Sequence, residues 1–150
     1  MKTDPADRAE KFFNQGYNCA QAVLLTFSRQ HGLDKKTCTR LAACFGGGLA
    51  RRGEVCGAVT GALMALGTTL AKPGLEDKEY NYQLAQEFMH CFETRHGTLL
   101  CRQLIGCDLT TPEGRKQANE SGVTRTICPA LVRDAAAILE YMLAQQESST

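Results

Sequence analysis

The chain has 150 residues, of which 43% are hydrophobic and 22% are charged, the composition of an ordinary soluble globular protein. Its 17 Lys and Arg nearly balance its 16 Asp and Glu, so a net charge of +1 gives nucleic-acid binding no electrostatic support. The chain also has eight cysteines, a share below the roughly 8–10% that is typical of a short secreted disulfide scaffold. The cysteines therefore need another explanation.

The ends and the uncharged stretches of the chain bear on its location. No apolar segment of the kind found in secretory signal peptides follows Met1. The longest uncharged stretch, residues 55–71, is shorter than the roughly 20 apolar residues of a membrane span and favours a buried core helix. We therefore expect a cytoplasmic protein without a membrane span. In the cytoplasm, glutathione and thioredoxin keep ordinary thiols reduced.

Helix start and stop signals recur along the chain, and no segment keeps the two-residue alternation of a strand. The last four residues, 147–150, are predicted to be a frayed tail. We expect one all-α domain over residues 1–150, a compact bundle of about seven or eight helices with short loops and no significant sheet. In chain order, the predicted helices cover residues 5–16, 19–31, 34–45 or 37–45, 54–71, 76–96, 98–106, 111–121 and 129–146.

Local signals support several of these helices. Asn18 followed by Gln21 predicts a capping box, and Thr111 before Pro112 predicts another helix start. Thr98 is a candidate cap for the short helix that precedes Gly106. Apolar residues at spacings of three and four predict the inward faces of the two longest helices. These residues are Tyr80, Leu84, Phe88, Cys91 and Phe92 in one helix and Leu131, Ala135, Ile138 and Met142 in the other.

Four of the eight cysteines fall at predicted helix N-termini: Cys19, Cys56, Cys101 and Cys128. Unpaired backbone N–H groups and the helix dipole favour negative charge there. Such a position is expected to lower the pKa of a thiol and to raise the fraction of thiolate, the form that attacks disulfides and binds metals. These four are the candidate redox-active thiols and, alternatively, the candidate metal ligands.

The other four cysteines are predicted to be mainly structural. Cys91 continues an apolar helix face, while Cys44 and Cys107 lie near helix C-termini, where the dipole disfavours a thiolate. Cys38 is ambiguous, because a helix that starts at Thr37 would place it at an N-terminus too.

The spacing of the cysteines excludes several kinds of site. No C-x-x-C occurs, which argues against a zinc finger, a thioredoxin-type site and the clustered ferredoxin pattern. A shared site would have to be assembled by tertiary packing. Just beyond Cys56, Gly57 and Gly61 lie on one helix face and would allow close approach of either a neighbouring helix or a bulky inorganic cofactor.

Five sequence blocks follow one another along the chain: NCAQAV at 18–23, FGGG at 45–48, CGAVTG at 56–61, C-x-x-L-x-G at 101–106, and Cys128. Together they resemble the C_GCAxxG_C_C family, a group of small bacterial and archaeal proteins described as redox-active. The resemblance implies that the four signature cysteines of the family are Cys19, Cys56, Cys101 and Cys128. It implies redox activity, with iron–sulfur ligation known among related domains, and names no substrate. One departure is that this chain reads C-G-A-x-x-G at residues 56–61, where the name of the family has G-C-A-x-x-G.

Three functions remain open at this point. The first is thiol–disulfide redox chemistry by the four cysteines, as an oxidoreductase or an electron carrier with an unidentified redox partner. The second is a binding module in which the same thiolates ligate an iron–sulfur cluster or another soft metal. The third is a structural or interaction protein with reduced cysteines. A homodimer is expected if a redox site is shared between chains.

Overall fold

The computed structural model of the protein describes residues 3–28 and 32–148. Over these residues the fold is all-α, as the sequence predicts, and contains no strand. It has one helical turn more than the eight predicted helices, α8, together with a 3-10 turn at Leu75–Asp77. The helices are α1 (Pro5–Asn14), α2 (Cys19–Ser28), α3 (Lys35–Leu41), α4 (Gly57–Thr69), α5 (Lys78–His96), α6 (Cys101–Ile105), α7 (Pro112–Ser121), α8 (Val123–Thr126) and α9 (Cys128–Ser148).

Helices α2 and α4 form the centre of the bundle. Every residue of α2 after Cys19 is buried except the half-buried Gln21, and α4 buries seven of its thirteen residues. Helix α2 packs against α1, α3, α4 and α9, so it is enclosed on most of its sides. The apolar stretch at residues 55–71 is thus a core helix, as predicted, and none of the helices described is long and apolar enough to cross a membrane.

Helices α1, α5 and α9 surround this centre. The predicted inward residues of α9 are all buried, and so are Leu84, Phe88 and Phe92 of α5. Tyr80 and Cys91 are only half-buried at the edge of the core. The 3.6-residue period therefore predicts the inward faces of both long helices well.

Some helix ends differ from the predicted ones. Helix α3 begins after Asp34, whose carboxylate accepts a hydrogen bond from Thr37 N, and it ends at Leu41 rather than at residue 45. Helix α2 is described to Ser28, and the rest of its predicted length lies outside the described residues. At the other terminus α9 stays helical through Ser148, so residues 147–148 are not frayed, and the last two residues lie outside the described part of the chain.

Two predicted helix starts are wrong for the same reason. Helix α4 begins at Gly57 rather than at Glu54, and Thr98 does not cap α6, whose N-cap is Leu100. In both places the chain is extended instead, and Val55 forms an antiparallel bridge with Leu100. Backbone pairing between segments distant in sequence thus overrides the local helix signals.

Candidate functional site

The four cysteines at helix starts line one cavity of about 580 Å³. Cys19, Cys101 and Cys128 are the first residues of α2, α6 and α9, and Cys56 is the N-cap of α4. Cys56, Cys101 and Cys128 are buried, and Cys19 is half-buried. Much of the remaining wall is apolar, with Phe13, Leu104, Ile105, Leu109 and Leu131 among its residues. Tertiary packing therefore brings together residues that are far apart in the sequence.

A short backbone pairing brings Cys56 and Cys101 to this cavity. The amide of Cys56 donates to the carbonyl of Leu99 at 2.8 Å, and the amide of Cys101 donates to the carbonyl of Glu54 at 2.7 Å. The amide of Arg102 extends the pairing to the carbonyl of Gly53 at 3.2 Å. Because both cysteines begin helices directly after this pairing, their thiols enter the cavity from adjacent positions.

A capping box fixes Cys19 at the start of α2. The amide of Gln21 donates to Oδ1 of Asn18 at 2.8 Å, and the amide of Asn18 donates to Oε1 of Gln21 at 2.9 Å, as the sequence predicts. The Asn18 side chain also donates from Nδ2 to the carbonyls of Ala42 and Ala43, at 3.2 and 3.3 Å. The same motif residues therefore hold both the helix start and the glycine-containing loop that forms one wall of the cavity.

Cys128 reaches the cavity from a second, smaller hydrophobic cluster. This cluster also contains Cys101 and Cys107, and the half-buried Cys19 packs against it. Cys56 belongs instead to the main core, against which Cys19 packs as well. The cavity thus lies where the two hydrophobic clusters meet.

The thiols of Cys19 and Cys128 interact with each other, and their acidities are coupled. The interaction with Cys128, followed by burial and by the charge of Cys56, holds the pKa of Cys19 well above its ordinary value. The interaction with Cys19 holds the pKa of Cys128 below the ordinary value, against the opposing effect of burial. The pair therefore favours one thiolate beside one protonated thiol.

Cys56 and Cys101 do not have the low pKa values expected from their positions. Burial raises the pKa of Cys56 to about 12, although the amides of Ala58 and Val59 oppose it. Burial, followed by the charge of Cys128, raises the pKa of Cys101 to about 11. The prediction that a helix N-terminus lowers the pKa is thus wrong for three of the four cysteines: desolvation outweighs the helix start at Cys56 and Cys101, and the interaction with Cys128 does so at Cys19.

A left-handed turn forms the loop side of the cavity. Five consecutive residues, 47–51, have φ between 51° and 68°, and three of them (Leu49, Ala50 and Arg51) are not glycine. Each of these three non-glycine residues lowers the stability of the fold by roughly 1–2 kcal/mol in this conformation. Gly48 is required here for space as well, because a Cβ at this position would lie 2.7 Å from Cβ of Cys101. The turn therefore brings the backbone directly against one of the site cysteines.

The amides that close this turn are already used within it. Those of Gly53 and Glu54 donate to the carbonyls of Gly47 and Gly48, at 3.1 and 2.9 Å. The turn thus fixes the approach to α4.

The remaining cysteines divide differently from the prediction. Cys38 is buried within α3 and Cys91 is half-buried on α5, both away from the cavity, which fits a packing role. Cys107 is buried in the smaller cluster beside Cys101 and Cys128. Cys44, in contrast, is exposed and lines the cavity. No signal in its own segment indicates this, because its position depends on the fold of the glycine loop.

Two of the three glycines of α4, Gly57 and Gly61, are explained by helix packing. A Cβ at Gly61 would lie 2.4 Å from the carbonyl oxygen of Ala20 in α2, and one at Gly57 would lie 3.1 Å from Cβ of Cys19. The role of these glycines in cofactor binding stays a prediction. Within residues 3–28 and 32–148, no group of three or more His, Cys, Asp or Glu side chains is arranged to hold a metal ion.

The motif residues around this cavity agree with a comparison to known protein families. The model of the family described as "Putative redox-active protein (C_GCAxxG_C_C)" matches residues 17–142. The chain belongs to the C_GCAxxG_C_C family. Searches of curated proteins and of solved structures find no match. The matched range contains the four helix-start cysteines of the cavity, the glycine loop and the helices that position them.

Proposed function

We propose that this member of the C_GCAxxG_C_C family is a thiol–disulfide redox protein whose active pair is Cys128 and Cys19. The observation that carries the proposal is the shared cavity: both cysteines begin helices that open onto it, and they interact closely enough to shift the pKa of Cys128 down and that of Cys19 up. This is the combination that disulfide exchange requires: a nucleophile of lowered pKa and an adjacent thiol to complete the reaction.

The proposed reaction has two displacement steps. The Cys128 thiolate attacks one sulfur of a substrate disulfide, forms a mixed disulfide and releases the other substrate sulfur as a thiolate. Cys19 then loses its proton and attacks Cys128 in the mixed disulfide, which releases the second substrate thiol. The two protein sulfurs are oxidised to a disulfide and the substrate gains two electrons, and the reverse sequence restores the reduced protein.

Cys56 and Cys101 form a second, slower dithiol in this proposal. Their raised pKa values keep both protonated near neutral pH, so neither is a good initial nucleophile. Their helix starts are nevertheless held side by side by the backbone pairing of residues 53–56 with 99–102. In the cytoplasm that the sequence predicts, thiol reductants are the electron source for both pairs.

A second candidate function is iron–sulfur binding, favoured by one observation. All four cysteines line the same cavity, and their charges raise one another's pKa values. A bound cationic centre would compensate several thiolates at once. Cys19, Cys56, Cys101 and Cys128 would hold such a cluster, which would supply one-electron transfer when bound. Among the described residues no three of these side chains are already arranged around a metal ion, so binding would have to draw the sulfurs together.

Anaerobic purification separates the two candidates. Thiol chemistry predicts a colourless protein in which bis(2-hydroxyethyl) disulfide, a neutral reagent, consumes Cys19 and Cys128 first. Cys128→Ser should abolish the fast phase of oxidation, whereas Cys19→Ser should stop at the mixed disulfide. Cys91→Ser, which alters a half-buried cysteine away from the cavity, is the matched control and should oxidise like the wild type. Stoichiometric iron and sulfide with visible absorbance would instead favour the cluster and overturn the thiol proposal.

A further inference from the structure

A second, shallower cavity adjoins the cysteine cavity and carries positive charge. Its walls share Ala50, Arg51 and Leu109 with the cysteine cavity, so the two are continuous. Arg52 and Arg115 lie on its other sides, together with Thr110. A molecule that enters the cysteine cavity past this rim therefore passes three guanidinium groups.

The charges at this rim are only partly compensated. Arg52 lies 3.7 Å from the carboxylate of Glu54, and Arg115 donates to the carbonyl of Leu109 at 2.9 Å. Arg51 has neither an ion pair nor a side-chain hydrogen bond with any described residue. Asp108, the other acidic group near the rim, is held by Thr110 through its hydroxyl and its amide. The rim thus retains an unpaired positive charge.

Arg51 is also the one charged side chain among the described residues that line the cysteine cavity. It is the last residue of the left-handed turn, with φ of 67°. Its side chain packs back against the beginning of the turn, since a Cβ added at Gly47 would lie 3.0 Å from Cγ of Arg51. This contact positions the aliphatic part of the Arg51 side chain.

We propose that the substrate of the cysteine cavity is a small organic disulfide that carries carboxylates, and that Arg51 binds one of those carboxylates. This inference rests on the proposed thiol function. A guanidinium binds a carboxylate in a bidentate manner, and a cavity of about 580 Å³ with apolar walls has the size of a small-molecule site. With one carboxylate bound to Arg51, the disulfide of the substrate lies between the charged rim and the sulfurs of Cys19 and Cys128.

The reaction with this substrate follows the same two displacement steps as the general exchange, with the same balance of electrons and protons. Cys128 displaces one carboxylate-bearing thiolate, and Cys19 displaces the second from the mixed disulfide. The protein loses two electrons to the substrate, whose sulfur–sulfur bond breaks. The proton from Cys19 is transferred to one of the two released thiolates.

The test compares three small disulfides that differ mainly in charge: dithiodiglycolate with two negative charges, bis(2-hydroxyethyl) disulfide with none, and cystamine with two positive charges. Anaerobically reduced, full-length protein is mixed with each, and oxidation of Cys19 and Cys128 is followed by mass spectrometry. Each rate is divided by the rate at which the same disulfide oxidises free 2-mercaptoethanol, which removes differences in intrinsic reactivity.

We expect the wild type to prefer dithiodiglycolate over cystamine, and Arg51→Gln to lower that preference by about fivefold. Arg51→Lys should retain most of the preference because it retains the charge. The preference of the wild type should also collapse in about 1 M salt, where the Debye length is about 3 Å. Arg40→Gln is the matched control, because the Arg40 side chain is exposed, has no ion pair with a described residue and does not line either cavity.

The outcomes separate this inference from the proposed function. If the neutral disulfide oxidises Cys19 and Cys128 but the charged reagents show no preference, the carboxylate site is refuted and the thiol function stands. An equal loss with all three reagents in Arg51→Gln would also refute it, since that pattern reports a structural role. If none of the three reagents oxidises this pair, the proposed function itself fails.

Discussion

The contact between α2 and α4 at Gly61 determines how the two central helices fit together, and a single methyl group tests it. In Gly61→Ala, the added Cβ would lie 2.4 Å from the carbonyl oxygen of Ala20 and 2.7 Å from its Cα. Both atoms belong to the backbone of a buried helix and cannot turn away as a side chain would. We therefore take the upper end of the usual cost of overpacking, about 3 kcal/mol.

The same substitution also has a favourable effect. Alanine stabilises a helix by about 1 kcal/mol relative to glycine, so the net loss expected for Gly61→Ala is about 2 kcal/mol. Gly67 is the matched control in the same helix, because it is exposed and a Cβ there would meet nothing within 4 Å. Gly67→Ala should therefore stabilise the protein by about 1 kcal/mol, and the two variants should differ by about 3 kcal/mol.

Urea unfolding followed by far-UV circular dichroism measures this difference. With a denaturant slope of about 2 kcal/mol per M, the unfolding midpoints of the two variants should lie about 1.5 M apart, with Gly61→Ala below the wild type and Gly67→Ala above it. A Gly61→Ala protein as stable as Gly67→Ala would refute the close approach of the helices.

Three further predictions concern the surroundings of the cysteine cavity. Ala50→Gly should raise the free energy of unfolding by up to about 1 kcal/mol in the same urea assay, because it removes one left-handed alanine from an exposed position; a loss of stability would contradict the turn. Asn18→Ala should lower the free energy of unfolding by about 1 kcal/mol or more and speed proteolysis of the glycine loop, since it removes a helix cap and two loop hydrogen bonds. The free energy of unfolding should fall as the pH rises from 9 towards 12, because the unfolded chain releases the Cys56 and Cys101 protons first; an unchanged pH dependence in a Cys56→Ala/Cys101→Ala variant would contradict that assignment.

The features that sequence predicts best here are those with local causes. The Asn18–Gln21 capping box joins residues three apart, and the inward face of α9 follows from the helical period alone. The positions of the four cysteines at helix starts follow from such signals to within three residues. Local physical chemistry therefore accounts for most of the fold and for which of these cysteines lie at helix starts.

The features that the sequence does not predict depend on contacts between distant segments. Glu54 has the sequence signal of a helix start, but its carbonyl accepts the amide of Cys101 and its segment is extended. The run of left-handed residues at 47–51 opposes the intrinsic preference of Leu49 and Ala50. Backbone hydrogen bonds close this turn, and at Gly48 it packs against the distant Cys101. The raised pKa of Cys56 comes from burial, which a helix position alone does not specify.

The central claim is that Cys19 and Cys128 are redox partners, and peptide mapping tests it most directly. Anaerobically reduced protein is treated with one equivalent of bis(2-hydroxyethyl) disulfide, alkylated in acid and digested without reduction. The account predicts that the main cross-linked product joins the peptide of Cys19 to the peptide of Cys128, with Cys56 and Cys101 still alkylated as free thiols. A protein that forms no disulfide, or one that pairs other cysteines first, would contradict it.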